Sequence, residues 1–367
     1  MIRKICFVSL GSFTLLTSDE NLKFAGGSEL KQVLIGRELA KRGFNIYFIT
    51  YDENREKQIV DGITILKSFS LSKKPSDIKK TLMIWKSLKE ANANIYLQGS
   101  GPAGIIPLFC ILYRRKYIKW VSSDSDVLLK RIHSNHTTIS KITAYLDIKF
   151  AHIIIVQNKF QKEIIEKKFK KKCVLIKNPT TIPENNNNFK NKENKNIILW
   201  VGTIRAVKQP NIFLKIARSL PEFRFKMIGG ELVKEKELYD EIKKEAMTIS
   251  NLEFVGFIPH NKIQKYYKEA SILVNTSTME GFPNTFLEAW INYTPVISLN
   301  ADPDEVICNE KLGLHSKTFE QIILDIKTLL YNDDTREKMG MNAKKYVEQN
   351  HNVKKIANQF EKLISSL

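Results

Sequence analysis

The run NIILWVGTIRAVKQPNIFLKIARSLPEFRFKMIGG, Asn196–Gly230, holds one complete unit of alternation. Ile197–Val201 is continuously apolar, as a strand buried on both faces must be. Gly202-Thr203 opens a turn, two cations follow at Arg205 and Lys208, and a helix starts around Pro210 and runs to Ser219. Arg224–Ile228 reads as the next strand. Strand, helix, strand with apolar strands marks a parallel α/β sheet covered on both sides.

The rhythm extends in both directions. Downstream come helix Glu235–Met247, strand Leu252–Val255, helix Asn261–Ala270, strand Ile272–Asn275, helix Asn284–Asn292 and strand Pro295–Leu299. Helical stretches Thr318–Leu330 and Thr335–Ser366 follow. Upstream, strand Ile2–Leu10 precedes helix Ser28–Arg42, strands Asn45–Thr50 and Gly62–Leu66, and helix Asp77–Ala91. Strands Ile95–Gln98, Ile118–Ser122, Ile153–Gln157 and Val174–Lys177 complete that half. Between the halves, Asn178-Pro179, Pro183 and the tract Asn185–Asn188 lie in a Lys/Asn-rich stretch that reads as a linker. The expected division is a first domain over 1–182, a linker over 183–196, a second domain over 197–350 and a terminal helix over 351–367. Val353, Ile356, Phe360 and Leu363 share one face of that helix. It docks either on its own domain or back across the linker on the first.

Length and composition agree with this plan. The chain has 367 residues, 43% hydrophobic and 26% charged, which excludes disorder as the main state. Its longest apolar run, Ala103–Tyr113, contains Pro107 and falls short of the roughly 20 residues that span a bilayer. Arg3 and Lys4 before an apolar stretch imitate a secretory signal, but no small-residue cleavage site follows. The four cysteines (Cys6, Cys110, Cys173, Cys308) form no CxxC pair, so neither zinc nor a disulfide framework is expected and a cytosolic compartment fits. Residues 1–190 carry 33 Lys/Arg against 16 Asp/Glu, whereas residues 191–367 carry 25 against 23. The basic first half is therefore a contact surface for something anionic: nucleic acid, lipid headgroups or a pyrophosphate-linked substrate.

Two segments carry chemistry. In NTSTMEGFPNTFLEAW, Asn275–Trp290, a strand ends, a turn with Gly281 and Pro283 follows, and a helix begins near Asn284. The free amides of such a helix start bind anionic oxygen. Glu280 stands just before the helix and Glu288 inside it, the latter among Phe286, Leu287, Ala289 and Trp290, where an unpaired carboxylate is costly and a polar ligand satisfies it. In WVGTIRAVKQP, Trp200–Pro210, Arg205 and Lys208 suit a diphosphate, one by bidentate hydrogen bonding and the other as a point charge.

Together these segments resemble the retaining nucleotide-sugar glycosyltransferases of family GT4, with the GT-B fold of two Rossmann-like domains facing each other across a cleft. VGTIRAVK is similar to the family's Gly-x-Arg/Lys-x-x-Lys loop, and EGFPNTFLEA to its Glu-x7-Glu signature. FAGGSEL (Phe24–Leu30), AHIIIVQNKFQ (Ala151–Gln161), IKNP (Ile176–Pro179) and FVGFIPHNKIQKYY (Phe254–Tyr267) resemble further family segments, so the likeness covers nearly the whole chain. It implies that Arg205 and Lys208 neutralise the donor diphosphate, with Gly26 and Gly27 letting backbone approach it. It places Glu280, as a catalytic residue, by the donor sugar, Gly281, Phe282, Pro283, Asn284 and Thr285 around sugar and phosphate oxygens, and Glu288 on the ribose hydroxyls. Gly256, Phe257 and Ile258 border the nucleobase.

The implied reaction is retaining hexosyl transfer from a UDP- or GDP-linked sugar to a glycan or lipid-linked glycan in envelope polysaccharide synthesis, with no metal and no other cofactor. The implied setting is cytoplasmic, peripheral on the inner face of the membrane, where Phe160–Lys172 and Arg114-Arg115-Lys116 beside Ile111–Tyr113 meet anionic headgroups. The chain departs from the family at WVSSDSDVLLKR (Trp120–Arg131), where Ser123 stands in place of the usual His; Asp124 and Asp126 are then the polar candidates, Asp124 the catalytic one and Arg131 its helper. His133 and His136 read as loop residues. Two Asp-x-Asp matches, Asp124–Asp126 and Asp302–Asp304, are set aside as metal sites, because the two cations already supply positive charge and Asp302-Pro303 reads as a turn. Competing functions are a nucleotide-sugar epimerase or phosphorylase on the same scaffold and a basic nucleic-acid-binding protein. The last lacks an aromatic–basic motif, so no nucleic-acid partner is expected.

Overall fold

Ile5, Cys6, Phe7 and Val8 are buried in β1 (Lys4–Val8), which fits a strand with neighbours on both edges and helices on both faces. The computed structural model to which this strand belongs describes residues 3–18, 26–52, 58–73, 75–128, 138–183 and 196–367. The linker expected over 183–196 falls almost wholly outside them, as do Phe24, Arg131, His133 and His136.

The described chain forms two compact units, residues 1–179 with 353–367 and residues 180–352. The first contains β1, α1 (Phe13–Thr17), α2 (Gly27–Lys41), β2 (Asn45–Thr50), β3 (Gln58–Val60), β4 (Ile63–Lys67), α3 (Asp77–Ala91) and β5 (Ile95–Gln98). It continues with α4 (Ile105–Leu112), β6 (Lys116–Trp120), α5 (Asp124–Leu128), α6 (Thr138–Lys149), β7 (Ile153–Val156), α7 (Lys159–Phe169) and β8 (Val174–Leu175). Its sheet runs β3-β4-β2-β1-β5-β6-β7-β8, parallel except for the antiparallel edge strand β3. One core layer lies under α3 and α4, around Ile84, Leu88, Phe109 and Tyr117. The other holds Val33, Ile35 and Leu39 of α2.

The second unit contains β9 (Ile197–Val201), α8 (Pro210–Ser219), β10 (Arg224–Ile228), α9 (Lys236–Ala246), β11 (Leu252–Gly256), α10 (Gln264–Glu269), β12 (Ile272–Asn275) and α11 (Asn284–Ile291). β13 (Val296–Ser298), α12 (Val306–Asn309), β14 (Gly313–His315), α13 (Phe319–Tyr331) and α14 (Asp333–Asn350) follow. Its six strands are all parallel, in the order β11-β10-β9-β12-β13-β14. Each unit is by itself Rossmann-like, a mostly parallel sheet with helices on both faces.

The stretch expected to be helical over Thr335–Ser366 is two helices, because the chain turns at His351 and Asn352. The Thr180 amide donates to the His351 carbonyl at 2.7 Å, so the outgoing and returning strands of chain run side by side there. The last helix, α15 (Val353–Ser365), is part of the first unit: Ile356, Ala357, Phe360, Leu363 and Ile364 join the α2 core layer. No helix among the described residues is long and apolar enough to cross a membrane.

Candidate active site

In the second sheet the chain leaves β9 toward β10 and β11 on one side, then returns to the other side of β9 with β12. At such a switch point the loops after adjacent strands diverge and leave a crevice beyond the carboxyl ends. Both sequence segments singled out above lie there: residues 202–209 follow β9, and residues 276–283 follow β12.

Backbone and side-chain bonds lock these two loops together. The Thr278 amide donates to the Val207 carbonyl at 2.9 Å. The Thr276 hydroxyl donates to the Lys208 carbonyl at 2.6 Å, and Trp200 Nε1 donates to the same hydroxyl at 3.0 Å. Lys208 Nζ pairs with Glu280 Oε1 across the two loops. Arg205 extends the cationic side but is about half exposed; its Nε stands 3.7 Å from Glu235 Oε1, while Glu235 Oε2 accepts from the Ala206 amide at 2.7 Å.

Glycines let the strand ends approach. A Cβ on Gly229 would stand 2.7 Å from the Gly202 carbonyl, and the Gly229 amide donates to the Gly256 carbonyl at 3.0 Å. Gly256 itself takes φ +79, a conformation that favours glycine, at the end of β11 where Phe257 and Ile258 begin the next loop.

Glu288 lies on the buried side of α11 and is 8% exposed. Tyr267 donates its hydroxyl to Oε2 at 2.8 Å, and His260 Nε2 stands 3.2 Å from Oε1. Burial pushes the carboxyl above its usual range; His260 and the tyrosine bond pull the other way. Phe282 is buried against Trp290 and His351, which anchors the loop running through Gly281 and Pro283 into α11. α11 begins at Asn284 directly after Pro283, which gives no side-chain cap, so the positive end of the helix lies where the β12 loop enters it.

The structure thus joins Lys208 to Glu280 and places Arg205 and the Glu280–Glu288 segment at one end of the sheet. His260, Tyr267 and Glu235 were missed in the sequence. His260 and Tyr267 stand in the quoted stretch Phe254–Tyr267, but no spacing ties them to a glutamate 28 and 21 residues on. Gly26 and Gly27 lie in the first unit at the start of α2, which likewise has no side-chain cap. Asp124 is held there by two amides: Asn158 Nδ2 at 3.0 Å and Gln161 Nε2 at 2.9 Å both donate to its Oδ1. Asp126 Oδ2 accepts from the amides of Ser122 and Ser123. Asp302 forms a turn whose carboxylate accepts from the amides of Ile307 and Cys308; Cys308 and His315 bring ligand-type atoms within 4.8 Å of it.

Residues 181–346, nearly all of this second unit, match the protein family described as Glycosyl transferases group 1. An uncharacterized glycosyltransferase of Haemophilus influenzae is 25% identical, over 94% of this chain and 98% of its own. The chain is a glycosyltransferase. A Campylobacter jejuni relative, 22% identical over 94% of this chain and 96% of its own, is named "GalNAc-alpha-(1->4)-GalNAc-alpha-(1->3)-diNAcBac-PP-undecaprenol alpha-1,4-N-acetyl-D-galactosaminyltransferase". The fold of this glycosyltransferase is shared with Anabaena HepE, solved in complex with UDP-glucose, at a TM-score of 0.75 and 15% identity over 100% of both chains.

Proposed function

We propose that this glycosyltransferase belongs to family GT4 and moves a sugar, with retention of configuration, from a UDP- or GDP-linked donor to a glycan or lipid-linked glycan in surface polysaccharide synthesis. The basic first unit would meet an anionic membrane on its cytoplasmic side. The observation that carries the donor site is the Lys208–Glu280 pair at the switch point, one loop away from the buried Glu288. A diphosphate that takes over part of Lys208's charge, helped by Arg205, becomes a better leaving group as the glycosyl–oxygen bond breaks. The departing phosphate would then receive the proton of the attacking acceptor hydroxyl on the same face. Glu280 orients the sugar, Glu288 accepts hydrogen bonds from the ribose hydroxyls, and the first-turn amides of α11 hold phosphate or sugar oxygen. Gly256, Phe257 and Ile258 would flank the base, and Gly26, Gly27 and Asp124 would act from the first unit. The reading involves no metal or other cofactor. The HepE complex and the undecaprenol-linked acceptor in the Campylobacter enzyme's name support the donor and acceptor classes by similarity.

A panel of UDP, GDP and ADP in thermal denaturation tests the donor site. One of the first two is expected to raise the melting temperature, by about 2.7 kcal/mol of stabilisation at a hundred times its Kd. A flat response to all three sinks the reading. Free nucleoside diphosphate appearing without any acceptor, together with an isomerised sugar, would favour an epimerase instead.

The buried Glu288 gives a second test. Ribose hydroxyls donate to an ionised carboxylate, so nucleotide affinity falls as pH drops through its raised pKa. Stability of the ligand-free chain runs the other way: a carboxyl with a raised folded pKa contributes stability below its unfolded pKa and loses it as pH rises. Tyr267→Phe removes a bond that favours the ionised form, so the acidic loss of UDP or GDP affinity moves to higher pH. Calorimetric Kd values across pH 4–8 check this, and superimposable wild-type and variant profiles would refute it.

A further inference from the structure

We infer that the outer face of α3, α4 and α6 is a docking surface for an anionic lipid bilayer, with the α4 stripe inserted among the headgroups. This deepens the membrane contact proposed above by naming its face.

Among the described residues, large apolar side chains left exposed are concentrated in the first unit, and they gather on these helices. Leu108, Ile111 and Leu112 are 52%, 49% and 63% exposed. Their i, i+3, i+4 spacing puts them on one stripe of α4. On α3, Ile78 and Leu82 are 75% and 63% exposed and also one turn apart. Trp85 of α3 packs edge-on to Phe109 and Tyr113, with ring centroids 5.2 and 6.1 Å away, so the two stripes are held as one rigid surface. Ile142 of α6, which packs against α4, extends it.

The stripe on α3 continues into cations. Lys86 and Lys89 follow Leu82 at helical spacing, and Lys89 Nζ lies 5.5 Å from the Tyr113 ring centroid. Arg114 and Arg115 follow α4 directly. An apolar stripe bordered by Lys and Arg suits the headgroup boundary, where aliphatic side chains enter the acyl edge and cations meet phosphate. A second copy facing the same surface would set like charges against each other, which favours the bilayer as occupant. The other basic stretch, Phe160–Lys172, is different: on α7, Lys162 and Lys167 pair with Glu166 and Glu163, the pattern of a solvated helix face.

Cosedimentation of the full chain with vesicles of phosphatidylcholine, and of phosphatidylcholine with about a quarter phosphatidylglycerol, tests the surface without any sugar donor. Binding is expected to the anionic vesicles, weakening as salt rises. Leu112→Glu is expected to weaken it at least about tenfold, since it both removes an inserted side chain and adds a repelled charge. Arg114→Glu, which reverses one cation, is expected to weaken it about tenfold or more. Both positions are exposed, and an unchanged melting temperature confirms that each variant folds. Equal binding to neutral and anionic vesicles, no binding by the wild type, or unchanged binding by both variants would overturn the proposal. So would sedimentation velocity showing a wild-type dimer that Leu112→Glu dissolves. None of these outcomes touches nucleotide binding, so the donor site stands or falls separately.

Discussion

Lys208→Ala is expected to lower kcat/KM by about 10²–10³, the loss typical when one group stabilising developing charge is removed. The argument rests on its pairing. Lys208 Nζ meets Glu280 in a half-buried contact between the β9 and β12 loops, so its charge is fixed in place rather than swept through solvent. Removing it also leaves Glu280 without its cation, which destabilises the loops and mimics a chemical effect. Glu280→Gln separates the two. It preserves shape, removes the competing negative charge and leaves Lys208 free for phosphate. Lys208→Ala should therefore weaken UDP or GDP binding, while Glu280→Gln strengthens it even as turnover falls. Calorimetry on both variants decides: parallel losses of affinity would mean that the pair only braces the loops.

The strands that reach this site were legible because they are buried on both faces. β9 and β12 match their expected spans, as do β5 in the first unit and the amphipathic helices α3 and α8, whereas β10, with Arg224 exposed, was readable only from Phe225, Met227 and Ile228. Elements without such a signal were not readable. β3 is an edge strand of three residues with Ile59 exposed, and β14 is equally short, so neither presents a pattern over a useful window. α1 follows β1 so closely that Gly11 and Ser12 read as a turn and nothing more. The break between α14 and α15 carries no Gly or Pro; it is made by the tertiary bond from Thr180 to His351. At the site, Lys208, Glu280 and Glu288 were visible through local order along the chain. His260, Tyr267 and Glu235 reach it from other segments, and only folding brings them to Glu288 and Arg205. The same holds for Asp124, whose two amide partners stand 34 and 37 residues away.

Phe360→Ala is expected to be the most damaging single truncation for the first unit, at about 3–5 kcal/mol. Phe360 is fully buried, its ring centroid 4.8 Å from that of Trp120, which Lys31 Nζ approaches from 4.5 Å. The residues around it, Ile356, Ala357, Leu363 and Ile364, are the final turns of the chain, yet they share a core layer with β1, β2, β5 and β6. Arg42 clamps the same helix to α2, donating to Asn358 at 2.6 Å, Glu361 at 2.8 Å and the Lys354 carbonyl at 2.8 Å. Those polar bonds sit at the surface and hold the helix in register; they do not replace apolar contact, because an exposed ion pair contributes at most about 1 kcal/mol. A cavity at Phe360 therefore loosens α15 as a whole, and the loss should appear as faster amide exchange in β1 and β2 while β9 and β12 keep their protection. Lys362→Ala, two residues on and on the exposed side of the helix, should change stability by no more than about 0.5 kcal/mol. Uniform exchange across both sheets, or a Phe360→Ala loss no larger than that of Lys362→Ala, would show that the last helix does not belong to the first core.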